Sequence, residues 1–225
     1  MRNGECGMLK DDNMIRRAEE GPTTFWERLE EADRFFMGTG KVPQTVRTLA
    51  ADLNRERIDY ALVGAMALNA HGYRRETVDV DVLVRPDGLT VFKDRLVGRG
   101  YTEKFQGARK SFRNTQTGVT IEFLTTGEYP GDGKPKPVAF PDPAAVAMDI
   151  EGVKVVDLPA LINLKLASGM TAPGRRRDLS DVQDLIRTLR LGAEFADRLD
   201  PYVQTNFMTL LKELDDPDPH TEKPE

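Results

Sequence analysis

The stretch RRETVDVDVLV, residues 74–84, places two aspartates, Asp79 and Asp81, two positions apart in an otherwise β-branched run. Residues i and i+2 of a strand share a face, about 7 Å apart. Val78, Val80, Val82 and Val84 then form one face and the two carboxylates the other. Adjacent carboxylates on a half-buried sheet repel one another and lose hydration. Either that face is an outer, solvated one, or something positive sits against it. A divalent cation is the economical choice, because a hard ion takes several oxygen ligands. Glu122, inside the apolar run VTIEFL, is a third carboxylate in an odd place for a free charge. Upstream, YALVG followed by AMALNAHG reads as a strand, a glycine turn and a short helix. Carboxylates hold metal, and metal with exposed backbone amides holds phosphates, so this combination points to phosphoryl chemistry.

The elements that must position these groups follow from periodicity. TTFWERLEEADRFF (23–36) and PQTVRTLAADLNRERI (43–58) read as helices, residues 60–64 as a buried strand, and 65–72 as a short helix stopped by Gly72. TVDVDVLV (77–84) is the clearest strand, RPDG a turn, 89–100 a helix, 101–105 a strand, and 111–124 a hairpin. Residues 127–143 carry five prolines and three glycines and predict a long connector or an ordered loop over a site. A short strand and a helix with Pro159 in its first turn fit 153–170. Residues 178–192 form a helix capped by Asp178, and 193–214 give one or two more.

The expected fold is therefore α/β (α+β): a small mixed β-sheet flanked by helices, with a C-terminal helical part closing one side of a cleft. The division expected is a poorly ordered segment 1–22, a core over 23–150, the helical part over 151–214, and a disordered acidic tail over 215–225.

Composition narrows the chemistry. The 225 residues are 39% hydrophobic and 31% charged, as in globular chains. No run approaches the roughly 18 apolar residues of a membrane span, and the first twenty residues lack the apolar core of a secretory signal, so a cytoplasmic, membrane-free protein is expected. Cys6 is the only cysteine, which excludes a disulfide framework and a cysteine-built zinc site. With only His71 and His220 as histidines, any metal must rest on carboxylates, which favours Mg²⁺ or Mn²⁺. A net charge of −5 leaves no global field for nucleic acid, so such contact would be local.

At this point VGAMALNAHGYRRETVDVDVLV resembles the signature of the DNA polymerase β-like nucleotidyltransferase superfamily. More narrowly, it resembles the minimal bacterial nucleotidyltransferases of the AbiEii and MenT toxin type. The likeness is strong over 60–84. It extends loosely to Glu122 and to 161–186, which is similar to the family's K…R…D-x-x-D helical segment.

The resemblance implies a magnesium-dependent enzyme moving an NMP from an NTP to an acceptor hydroxyl. Gly64 and Ala65 would bind nucleotide phosphates and Arg75 would approach them. Asp79 and Asp81 would hold two metal ions, with Glu122 as the third carboxylate, the one that orients or deprotonates the acceptor. Lys165 and Arg175–Arg177 would face the same cleft, buttressed by Asp178 and Asp181. The chain departs from the pattern in having Ala65 where a second glycine or serine is usual, and Glu122 where Asp is commoner. Toxin-like relatives modify tRNA ends or target proteins, which would bring an antitoxin partner. Other members adenylylate aminoglycosides or lincosamides. A nucleotide-binding regulatory module without turnover is a further class.

Other residues have plainer readings beside these. His71 is a packing or capping group or a general base, and Lys165 snorkels or serves the cleft. The GRRRD run is a solvated flank or a local phosphate contact. Trp26, Phe35 and Phe36 read as core or interface residues of the first helix, and GDGKPKP lacks the strand–helix frame of a Walker loop.

Overall fold

The computed structural model describes residues 24–36 and 40–215. The expectations for 1–22 and for the tail beyond 215, with Cys6 and His220, lie outside the described residues, as do the side chains of Phe35 and Phe36. Helices α1 (Phe25–Phe36) and α2 (Lys41–Arg55) precede β1 (Tyr60–Leu62), α3 (Gly64–Ala70) and β2 (Asp79–Val84). Then come α4 (Pro86–Leu96), β3 (Tyr101–Glu103), β4 (Ser111–Asn114), β5 (Thr120–Thr125), α5 (Pro143–Val146), β6 (Ala147–Ile150) and β7 (Val153–Val156). The described residues close with α6 (Leu158–Thr171), α7 (Arg176–Leu189) and α8 (Pro201–Asp215), with 3-10 turns at Pro173–Arg175 and Ala193–Arg198.

The seven strands form one mixed sheet in the order β3-β4-β5-β2-β1-β7-β6. β2 runs antiparallel to β1 and parallel to β5. This is the expected class with a larger sheet, since AMDI adds an unanticipated edge strand, β6. That segment hides in the sequence because Met148 and Asp149 are exposed, so it lacks an apolar run. The β6–β7 hairpin turns at Glu151 and Gly152, both at positive φ. The same Glu151 anchors α1: its Oε1 accepts the Phe25 amide at 2.9 Å and its carbonyl the Trp26 indole N–H at 3.3 Å.

One face of the sheet is core throughout. Val80, Val82 and Val84 of β2, Ile121 and Phe123 of β5 and Phe112 of β4 are buried there. Phe92 of α4 stacks on Phe123, Phe112 and Tyr101 with ring centroids 4.6–5.1 Å apart, the spacing at which tilted aromatic pairs add to burial.

Two local expectations are corrected. RPDG is not a turn: Pro86 and Asp87 open α4, because proline suits the first helical position as well as a turn. Gly88 is needed there, since a Cβ would lie 2.9 Å from Ile58. Strand β2 begins at Asp79, so Val78 leaves the valine face and stands 62% exposed.

Candidate active site

On β2 the face opposite the valines carries Asp79, Asp81 and Leu83. The first two look into a cleft, while Leu83 is fully buried. Parallel register sets Asp81 beside Glu122, and antiparallel register sets Glu122 beside Ser111 of β4. A carboxylate row thus runs across adjacent strands, which sit about 4.8 Å apart. Burial pushes the Asp81 carboxyl up to about 6, helped by the charges of Asp79 and Glu122, while Lys165 and Arg175 pull it back. No hydrogen bond reaches that carboxylate among the described residues.

Asp81 also explains Gly64. A Cβ on Gly64 would lie 2.2 Å from Asp81 Oδ2, and Gly64 has φ +59°. The carboxylate therefore presses against the backbone that opens α3, where the first amides of a helix lack internal partners. Asp79 is oriented by Thr77, whose hydroxyl donates to Asp79 Oδ1 at 2.7 Å.

Glu122 is held from its far side. Lys104 Nζ lies 3.0 Å from Oε1, and the Ser111 hydroxyl donates to Oε2. Among the described residues no three His, Cys, Asp or Glu side chains converge as a ready-made metal cage. The donor set nevertheless fits a hard divalent cation: two carboxylates on one strand, both half-buried and one of them without a hydrogen bond, with a third alongside.

The opposite wall comes from the C-terminal helices. Lys165, 8% exposed, donates to Asp178 Oδ1 at 2.9 Å and to Asp181 Oδ2 at 2.7 Å. Ser168 holds the other Asp178 oxygen at 2.7 Å. Burial raises the Asp181 carboxyl against the pull of Lys165. Asp178 is thus not the helix cap that the sequence predicts. α7 begins two residues earlier, at Arg176, behind a 3-10 turn, and Asp178 points back to α6 instead. Arg75 Nε lies 3.2 Å from Asp181 Oδ1, so Arg75 joins the same cluster. Arg175 and Arg177 line the cleft, exposed and without an ion pair among the described residues.

The cleft, about 1020 Å³, is lined by Gly64, Ala65, Arg75, Asp79, Asp81, Glu122 and Lys165 together, whereas Arg176, expected beside Arg175 and Arg177, does not line it. That volume is ample for a nucleotide and part of an acceptor. His71 faces elsewhere: its Nε2 meets the Val156 carbonyl at 2.8 Å and burial lowers its pKa, the packing reading. The 127–142 segment also stays out of the cleft lining. Lys136 folds it on itself through the Pro130 carbonyl and Asp132, and Gly131 packs on Ser168 and Thr171 of α6. Sequence reasoning missed Asn69, Lys104 and Ser111. An asparagine inside the apolar AMALNA run was the one available signal; the other two become visible only through strand register.

No protein-family profile and no curated protein matches the chain. Among solved structures it is similar to a candidate nucleotidyltransferase of Thermotoga maritima at 18% identity and a TM-score of 0.44, covering 64% of this chain and 95% of that one. An antigenic nucleotidyltransferase-like protein of Paracoccidioides brasiliensis matches at 19% identity and 0.48, over 78% and 88% of the two chains. The antibiotic-resistance factor ANT(2'')-Ia, solved with adenylyl-2''-tobramycin, matches at 14% and 0.46, over 76% and 98%. Likeness of this degree assigns neither activity nor substrate, and the residues themselves must do so.

Proposed function

We propose that this chain is a divalent-metal-dependent nucleotidyltransferase that moves an NMP from an NTP to an acceptor hydroxyl. The observation that carries the reading is the Asp81 carboxylate, half-buried and pressed against Gly64 beside Asp79, with no hydrogen bond among the described residues and a cationic wall across the cleft. Asp79 and Asp81 are the residues to hold Mg²⁺ or Mn²⁺. A metal held there would neutralise charge on the phosphate oxygens as the displacement proceeds. The backbone at Gly64 and Ala65 faces the phosphates, and Arg75, Lys165, Arg175 and Arg177 provide the positive wall toward which pyrophosphate departs. The acceptor oxygen bonds to the α-phosphorus as the bond to the pyrophosphate oxygen breaks. Glu122 takes the acceptor's proton, oriented by Lys104 and Ser111.

The unpaired Arg175 and Arg177 at the cleft edge favour a polyanionic acceptor such as a tRNA end, and with it a toxin paired with an antitoxin protein. The engagement of Glu122 by Lys104 and Ser111 is the observation that favours the second reading, a nucleotide-binding module without turnover.

Calorimetric titration with each NTP in Mg²⁺ tests the reading, beside an Asp79→Asn/Asp81→Asn double variant. Micromolar, metal-dependent binding that weakens at least 100-fold in the variant is expected. Transfer of α-labelled NMP to a tRNA pool then separates enzyme from module. A wild-type protein that binds no NTP with Mg²⁺ or Mn²⁺ defeats both readings.

A further inference from the structure

On the nucleotide-binding reading above, we infer that Asn69 is a positioning residue that fixes Arg75 in place before the nucleotide's phosphates arrive. Asn69 is fully buried in α3 among Met66, Ala67, Leu68 and Ala70. Burying a primary amide is costly unless its polar atoms find partners. One Nδ2–H donates to the Ala65 carbonyl at 2.8 Å. The other goes to the Arg75 carbonyl at 2.6 Å, and Oδ1 accepts the Arg75 amide at 3.2 Å. Asn69 therefore binds both backbone groups of a residue six positions on, and ties it to the first turn of α3.

No other group does this. Residues 74–76 belong to no helix or strand, and their only backbone hydrogen bonds among the described residues are these two. The side chain of Arg75 is fixed at a second point, Nε against Asp181, which leaves its two terminal amines available to the cleft that Arg75 lines. With backbone and Nε both anchored, Arg75 meets a phosphate without first losing rotamer freedom. Immobilising one such side chain on binding costs about 0.5–1.5 kcal/mol, which is roughly 2- to 12-fold in affinity.

The test is a double-mutant cycle on NTP affinity in Mg²⁺. Asn69→Ala removes all three bonds, and Asn69→Ser keeps one donor and one acceptor as a milder change. Each is combined with Arg75→Ala. Weaker binding by roughly 2- to 12-fold in the Asn69 variants, absent once Arg75 is already alanine, is the expected result. A merely structural asparagine lowers stability with no such coupling. Affinity that is unchanged, or weakened equally in both backgrounds, overturns the inference while leaving the nucleotide site intact. Wild-type protein that binds no NTP overturns the nucleotide reading and this inference with it. If neither Asn69 variant folds, hydrogen exchange of the wild-type Arg75 amide decides. Protection before nucleotide is added supports preorganisation, and exchange at the unprotected rate overturns it.

Discussion

Asp81 is where the proposed chemistry and stability oppose each other. Its carboxyl is pushed from the ordinary 3.8 up to about 6 in the folded chain. The folded state therefore holds that proton more tightly than the unfolded one. The stability this group lends is present below about pH 4 and is lost as pH rises through 6. Over that window it amounts to about 2–3 kcal/mol, at 1.36 kcal/mol per unit. In EDTA, the stability advantage of Asp81→Asn over wild type should widen by about that much between pH 4 and pH 7 in urea melts, then shrink on adding Mn²⁺. A gap that is flat with pH contradicts the burial argument. Gly64→Ala should cost at least about 2 kcal/mol, since the new methyl needs both a left-handed backbone and the space of Asp81 Oδ2. Part of that cost should return in Gly64→Ala/Asp81→Ala, and strict additivity of the two changes rules out the contact as its cause.

At the scale of elements, the α6–α7 pair carries the cationic wall by two different means. Lys165 is buried between Asp178 and Asp181, so Lys165→Met removes the cation they share, leaves Asp178 to Ser168 and Asp181 to Arg75, and should destabilise by about 3 kcal/mol. Arg175 and Arg177 are exposed and unpaired, so Arg175→Ala/Arg177→Ala should leave the unfolding free energy from urea melts within about 0.5 kcal/mol of wild type. The same pair of changes should weaken NTP binding and flatten its salt dependence. An arginine pair that matters to folding and not to nucleotide would contradict this division of roles. Periodicity located both helices. It did not show which charges were buried, because helical spacing gives a residue's face but not what packs on it. Lys165 could snorkel as far as sequence tells; the neighbouring helix makes it an ion-pair centre.

Across the whole molecule, one contiguous apolar core joins Phe25 of α1 to Leu210 of α8 through both faces of the sheet. The cleft has contributions from every part: Leu29 and Val42 from the N-terminal helices, the carboxylates from the sheet, and Lys165 from the C-terminal helices. Thermal unfolding followed by circular dichroism and by Trp26 fluorescence should therefore give a single coincident transition. Two separated transitions would mean that the core is divided. No helix among the described residues is long and apolar enough to cross a membrane.

The amino-acid sequence by itself determined the local chemistry. The period of two in TVDVDVLV puts Asp79 and Asp81 on one face, and the apolar run ending in Gly64 marks the turn before α3. A lone carboxylate in VTIEFL singles out Glu122. Each of these is a property of neighbours along the chain, where pleat and turn geometry leave few choices. The tertiary structure alone decided what depends on pairing between distant segments. Strand register brought Ser111 and Lys104 to Glu122, and β2 against β5 set Asp81 beside Glu122. Packing of α6 on α7 turned Asp178 from an expected cap into a partner of Lys165. Asn69 reaches only six residues along the chain, yet its role depends on a non-helical path from 71 to 78 that no period encodes. Short-range patterns fix which face a side chain takes, while burial and pairing are set by elements far away in sequence, and the charge balance of this cleft depends on both.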